Sequence, residues 1–244
     1  MKSPIQNAPF SACEALNSMS SLTVPREERS PMLTPDEVDQ FRKLPTGNVC
    51  DANGKAGNMD AGIKPIDRHS KLVGPAVTLR AFPGDNLLFF KALEEAAPGS
   101  VLVIDARGYL SAGAMGDMMV TACIAKGIAG VVLDGACRDA NDIEEAGFPF
   151  FTRGLNPGGT VKESVGPINT TIQCGGVVVS PGDLIVGDCD GVVVVAQANA
   201  REVLARAQAI FDKETRIREL LRQGKSALEI YGFDVKLKQK EAQK

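Results

Sequence analysis

The chain has 244 residues, of which 44% are hydrophobic and 23% charged, enough for one large or two small domains whose cores need no disulfide or metal staples. A net charge of −3 and a pI near 5.4 exclude the basic footprint of a nucleic-acid binder, and no run of eighteen apolar residues is present to span a membrane. Six widely spaced cysteines with no CxxC pair fit reduced thiols in a cytoplasmic protein.

Residues 1–35 are rich in Ser and Pro and carry no sustained period, which predicts a flexible N-terminal arm. Thr34, Pro35, Asp36 and Glu37 then form a helix start, with Val38, Phe41 and Leu44 following at helical spacing. From Lys71 strand and helix alternate. LVGPAVTLRAF predicts a strand, GDNLLFFKALEEAAPG a helix with a Pro-Gly stop, and SVLVIDARG a buried strand. A helix over 117–126, ended by Gly127, leads to a strand over 128–133 that delivers Asp134 to Asp142 at its carboxyl end. DIEEAG predicts a short helix and FPFFTRG a further strand.

Beyond Gly166 several β-branched runs are punctuated by Gly-Gly, Pro-Gly-Asp and Asp-Gly turns, the pattern of a β-meander or small barrel. A long helix over 199–223 carries Val203, Ala207, Ile210, Ile217, Leu220 and Leu221 on one stripe and stops at Gly224. The organised domain is expected over 36–232. Residues 233–244 read as a solvated basic tail holding Lys236, Lys238, Lys240 and Lys244.

The chemistry concentrates in one stretch: Asp117, twenty residues, Arg138, Asp139, two residues and Asp142. In α/β folds ligands sit at the carboxyl ends of strands, where this stretch places its charges. Arg138 and Asp139 present a permanent cation and a carboxylate together. The helix that starts at Asp117 offers backbone donors at Gly116, Met118 and Met119 to a small carboxylate, with the helix dipole in favour. The single histidine, His69, lies elsewhere and no thiolates cluster, so zinc is a poor candidate. Oxygen ligands from Asp117, Asp139 and Asp142 suit a hard ion such as Mg2+ or Mn2+.

The same residues admit a plainer account. Asp117 and Asp139 are acceptable helix caps, Asp142 suits a first turn, and Arg138 can make a surface ion pair. His69 fits a polar turn, RGLNPGGT a turn lining the cleft, and Asp183, Asp188 and Asp190 fit turns. A Schiff-base enzyme needs a buried lysine, whereas Lys64, Lys71, Lys91 and Lys126 all fall at turns or on helix surfaces.

Taken together, KLVGPAVTL, the GDNLLFFKALEEAAPGSVLVID segment, the acidic and Arg-Asp motif, GFPFFTRGLNPGG and PGDLIVGDCDGVVVV resemble a known family over residues 44–232. That family contains 4-hydroxy-4-methyl-2-oxoglutarate and 4-carboxy-4-hydroxy-2-oxoadipate aldolases together with RraA-like regulators of ribonuclease E. The resemblance implies a layered α/β fold, a swivelling-domain-like β/β/α arrangement with a β-rich half and a long C-terminal helix. It further implies a homotrimer or homohexamer with the cleft between subunits.

For the site, the resemblance implies that Asp139 binds Mg2+ or Mn2+ and that Asp117 holds a water of the metal's shell. It has Arg138 contact the keto oxygen and the amides of Met118 and Met119 receive the pyruvyl carboxylate. Glu214 would reach the metal waters of a neighbouring subunit. The implied activity is metal-dependent retro-aldol cleavage of a 4-hydroxy-2-oxo acid to pyruvate, with oxaloacetate decarboxylation at the same site. The competing reading is a non-catalytic regulator of RNA processing or a protein-binding module. Asp139 favours the enzyme, because the regulator branch lacks the acid that follows Arg.

Overall fold

The computed structural model describes residues 33–242, so all but the last three residues of the expected N-terminal arm lie outside the described residues. In chain order the elements are α1 (Pro35–Lys43), α2 (Thr46–Ala52), β1 (Lys64–Pro65), β2 (Leu72–Arg80), α3 (Leu87–Glu95), β3 (Val101–Gly113), α4 (Asp117–Lys126), β4 (Gly130–Cys137), α5 (Ala140–Glu145) and β5 (Phe150–Leu155). Then follow β6 (Ile172–Cys174), β7 (Val177–Val179), β8 (Leu184–Asp188), β9 (Gly191–Val195), α6 (Ala200–Arg222), α7 (Ala227–Ile230) and α8 (Phe233–Glu241).

The start of α1 is a capping box. Glu37 N donates to Thr34 Oγ1 at 3.3 Å, and Thr34 N donates to Glu37 Oε2 at 2.7 Å, so two otherwise orphaned donors are satisfied reciprocally.

Seven strands form one sheet in the order β1-β5-β4-β3-β2-β8-β9. Strands β2 to β5 are parallel neighbours, which the α3, α4 and α5 crossovers allow. The hairpin β8–β9 adds antiparallel to β2, and β1 adds antiparallel to β5. The chain before β1 also bonds to β9, with Met59 N donating to Val192 O at 2.9 Å and Val194 N to Gly57 O at 2.8 Å, so the sheet curls until it is nearly closed.

Side chains of β3 alternate between two cores, as a period of two requires. Leu102 and Ile104 pack with Phe89 of α3, Val120 of α4 and Phe150. Val101 and Val103 face the other way, onto Ile172, Val179 and Phe151 under the small β6–β7 hairpin. A third core joins Phe41, Val49, Val203 and Ala207 to Val186 and Val193 of β8 and β9.

Several expectations need correction. The region after Gly166 does not form a barrel of its own: β6 and β7 stand as a separate pair, while β8 and β9 extend the main sheet. The strand expected over 128–133 runs instead over Gly130–Cys137, because Asp134 is taken into it. Asp134 is buried there, its charge met by Arg153 Nε at 2.6 Å and its second oxygen by Gly175 N at 2.8 Å. Of the α6 stripe, Val203 and Ala207 are buried, whereas Leu221 is 39% exposed, since the helix outruns the body it packs on. The basic segment is mostly helical, as α8, with Phe233, Val235 and Leu237 exposed beside its lysines.

Candidate active site

Because β3 and β4 are parallel neighbours, their carboxyl ends lie side by side, with Gly113 in register with Ala136. The two loops that follow are stitched together: Ala114 N donates to Ala136 O at 2.7 Å and Arg138 N to Met115 O at 2.9 Å. One loop enters α4 at Asp117 and the other enters α5 after Asp139. Asp117, Arg138 and Asp139 are therefore brought together by strand pairing, with twenty residues between Asp117 and Arg138 in sequence.

Neither aspartate is a side-chain cap. Gly116 occupies the cap position of α4, and Asp117 is already the first helical residue. Asp139 stands at the cap position of α5 without capping it, in the left-handed region at φ 57° and ψ 41°. A non-glycine residue held there costs about 1–3 kcal/mol, and such strain gathers at functional sites. The conformation leaves Asp139 Oδ2 3.4 Å from Asp117 N and 3.3 Å from Arg138 Nε.

Two glycines make room for this pair. A Cβ on Gly116 would collide with Asp139 Oδ2 and stand 3.2 Å from Arg138 Cγ and Nε, and one on Gly113 would come 2.8 Å from Arg138 Cβ. Met119 N donates to Gly116 O at 3.1 Å, while Met118 N has no acceptor among the described residues. Of the two amides expected to receive a carboxylate, Met118's is the one left open at the positive end of the helix.

A cleft of about 410 Å³ opens here, lined among others by Asn86, Phe90, Gly116, Asp117, Met118, Arg138 and Lys162. Across Arg138 a second recess of about 320 Å³ is bounded by Asp139, Leu155, Asn156 and Pro157. The cleft wall is the 156–165 loop. Gly113 N donates to Gly158 O at 2.8 Å, and Asp85 accepts from Glu163 N at 2.8 Å and Ser164 N at 2.7 Å. Burial raises the Asp85 pKa, but the three backbone donors at Leu87, Glu163 and Ser164 outweigh it and hold the carboxyl below its ordinary value.

Other expected residues lie apart. Asp142 is exposed in the first turn of α5. Glu214 sits on α6, where it accepts from Asn48 Nδ2 at 3.0 Å and stands 3.8 Å from Arg218, so one chain alone does not bring it to Asp139. Among the described residues, the only three candidate ligands that close within 4.8 Å of one another are Asp188, Cys189 and Asp190 in the β8–β9 turn. There Asp188 is already engaged by Thr46 and Lys71.

Two cleft residues, Asn86 and Lys162, and Asp85, which holds the cleft wall, escaped sequence reasoning. Asp85 and Asn86 read as the polar start of a helix, yet Asn86 makes no side-chain cap. Its Nδ2 donates to Ala114 O at 3.0 Å, while its Oδ1 is buried and unpartnered among the described residues. A buried acceptor left so costs about 1–3 kcal/mol. Lys162, in a loop with no period, gave no signal at all.

Residues 46–194 match the family described as RraA-like, Aldolase/RraA. A Halalkalibacterium halodurans protein provisionally named a 4-hydroxy-4-methyl-2-oxoglutarate aldolase is 43% identical over 173 residues, covering 71% of this chain and 82% of that one. Among solved structures, an uncharacterised Pseudomonas syringae protein superposes with a TM-score of 0.72 at 28% identity, covering 83% of this chain and all of that one. Streptomyces coelicolor RraAS2, described as an unusual member of the RNase ES inhibitor RraA family, gives 0.68 at 31% identity, covering 76% and 98%.

Proposed function

The chain belongs to the RraA-like family, and on that premise we propose that it is a metal-dependent carbon-carbon lyase. Its substrate is a 4-hydroxy-2-oxo di- or tricarboxylic acid such as 4-hydroxy-4-methyl-2-oxoglutarate, cleaved in retro-aldol fashion to release pyruvate. The observation that carries this reading is the Gly116–Asp117 and Arg138–Asp139 junction, where the α4 start and Asp117 line the cleft and Arg138 joins it to the recess bounded by Asp139.

Each group has a role that its position supports. The open amide of Met118 and the α4 dipole receive the pyruvyl carboxylate. Arg138 faces the keto oxygen, where a fixed guanidinium stabilises the negative charge that develops there. Asp117 takes the proton of the 4-hydroxyl through a water. As that proton leaves, the C3–C4 bond breaks, its electrons pass to the keto oxygen, and a second 2-oxo acid departs. The pyruvate enolate is then protonated at carbon. Oxaloacetate decarboxylation uses the same enolate without the hydroxyl step. Lys162, at the cleft wall, suits the distal carboxylate.

The residues present fit a hard divalent ion. Asp139 offers carboxylate oxygen, steadied by Arg138 Nε and Asp117 N, and Asp117, which lines the adjoining cleft, offers a second carboxylate. So few carboxylates suit Mg2+ or Mn2+, which retain most of their waters, better than a closed protein cage. When bound, the ion supplies Lewis-acid polarisation of the keto oxygen. Glu214 would join the site only from a neighbouring subunit, in the homotrimer or pair of trimers that the family resemblance implies.

The likeness to RraAS2 supports a second reading, a non-catalytic regulator or binding module. Asp139→Ala and Asp117→Ala separate the two: under the lyase reading both lose metal-dependent pyruvate release while remaining folded, and full activity in either contradicts it.

A further inference from the structure

Asn86 is only 8% exposed, and it lines the cleft together with Asp117. Its orientation is fixed, because only an N–H can face the Ala114 carbonyl 3.0 Å away. The other end of the amide, Oδ1, is therefore an acceptor, buried and without a partner among the described residues. It needs a donor, and the cleft's remaining polar side chains do not give it one in this structure.

This inference rests on the lyase reading. An ionised 4-hydroxy-2-oxo acid carries a single hydrogen-bond donor, its 4-hydroxyl, and all its other polar atoms accept. That proton leaves toward Asp117 during cleavage, so the lasting donor to Asn86 is a water. We infer that Asn86 Oδ1 and the Asp117 carboxylate together hold the water that relays the hydroxyl proton. A water with one hydrogen on each of two acceptors has only its lone pairs left for a third group. It is thereby oriented to accept from the substrate hydroxyl, and it passes its own proton to Asp117 as it does so. Asn86 acts through this water and is a positioning residue for the hydroxyl step. Decarboxylation of oxaloacetate has no such step.

The test compares kcat for pyruvate release from 4-hydroxy-4-methyl-2-oxoglutarate and from oxaloacetate, with Mg2+, in wild type, Asn86→Ala and Asn86→Asp. Loss of the Ala114 bond lowers both activities in either variant. In Asn86→Ala the retro-aldol kcat is expected to fall about tenfold further than the decarboxylation kcat, the scale of one lost hydrogen bond. Asn86→Asp keeps an acceptor oxygen, and its ratio of the two activities is expected within about threefold of wild type. Equal falls in Asn86→Ala overturn the inference, and so does a collapsed ratio in Asn86→Asp. The aspartate variant alone decides if the alanine variant does not fold. A wild-type protein that releases pyruvate from neither compound overturns the lyase reading and this inference with it, whereas an active wild type with equal falls overturns this inference alone.

Discussion

Gly116 leaves empty the space that the Asp139 carboxylate occupies: any Cβ on Gly116 would overlap Asp139 Oδ2. The backbone φ at Gly116 is −144°, which any residue adopts, so the requirement for glycine here is one of space and not of conformation. Gly116→Ala must therefore push Asp139, Arg138 or the start of α4 aside. A displacement of this kind at reacting groups costs about 100-fold in kcat. The expected result is a folded protein with that loss, measured by pyruvate release beside circular dichroism; unchanged kcat removes the junction from the reaction.

Asp139 offers the reverse test. Its left-handed backbone is one that glycine adopts without penalty, and its side chain does not cap α5, its one backbone contact being the long 3.4 Å bond from Asp117 N. Asp139→Gly is expected to abolish turnover while the melting temperature stays level or rises. A marked fall in melting temperature would mean that the carboxylate serves the fold.

Arg138 is asked to present a planar cation between the cleft and the neighbouring recess. A lysine supplies the charge as a point and lacks the fork. Arg138→Lys is expected to lose about 100- to 1,000-fold in kcat, the scale of a removed donor to a developing oxyanion. Wild-type kinetics in this variant exclude the role.

The cleft wall depends on one carboxylate. Asp85 holds Leu87 N, Glu163 N and Ser164 N, and Asp85→Asn replaces an acceptor oxygen with a donor facing these amides. The variant is expected to lose about 1–3 kcal/mol, read by denaturant unfolding. The pH dependence has a definite sign. The Asp85 carboxyl lies below its ordinary value of 3.8 in the folded protein, so its contribution is complete above that value. It is lost as pH falls through the folded pKa. Wild-type stability should then decline toward acid more steeply than that of Asp85→Asn, and parallel declines would contradict the assignment.

Much of this was legible in the sequence where the signal is local. The bounds of α4 follow from Asp117 and from Gly127, whose φ of 74° ends the helix, and the Thr34 capping box is written in four consecutive residues. The pairing of Asp117 with Arg138–Asp139 was readable because a helix and one parallel strand separate them. The attachment of β8 to β2 was not, since antiparallel partners over a hundred residues apart leave no local mark. Nor was Asp134 as a strand residue, because its burial depends on Arg153 from β5. Asn86 was hidden for a related reason: its role comes from the Ala114 carbonyl that turns it, twenty-eight residues away.

The proposed metal-dependent lyase chemistry at the junction of α4 and β4 is best tested by a coupled assay of pyruvate release from 4-hydroxy-4-methyl-2-oxoglutarate. It is run with Mg2+ or Mn2+, again after chelation, and once more with metal restored. Release that chelation abolishes and metal restores is the expected result. No release from folded protein with metal present, or release indifferent to chelation, would contradict it.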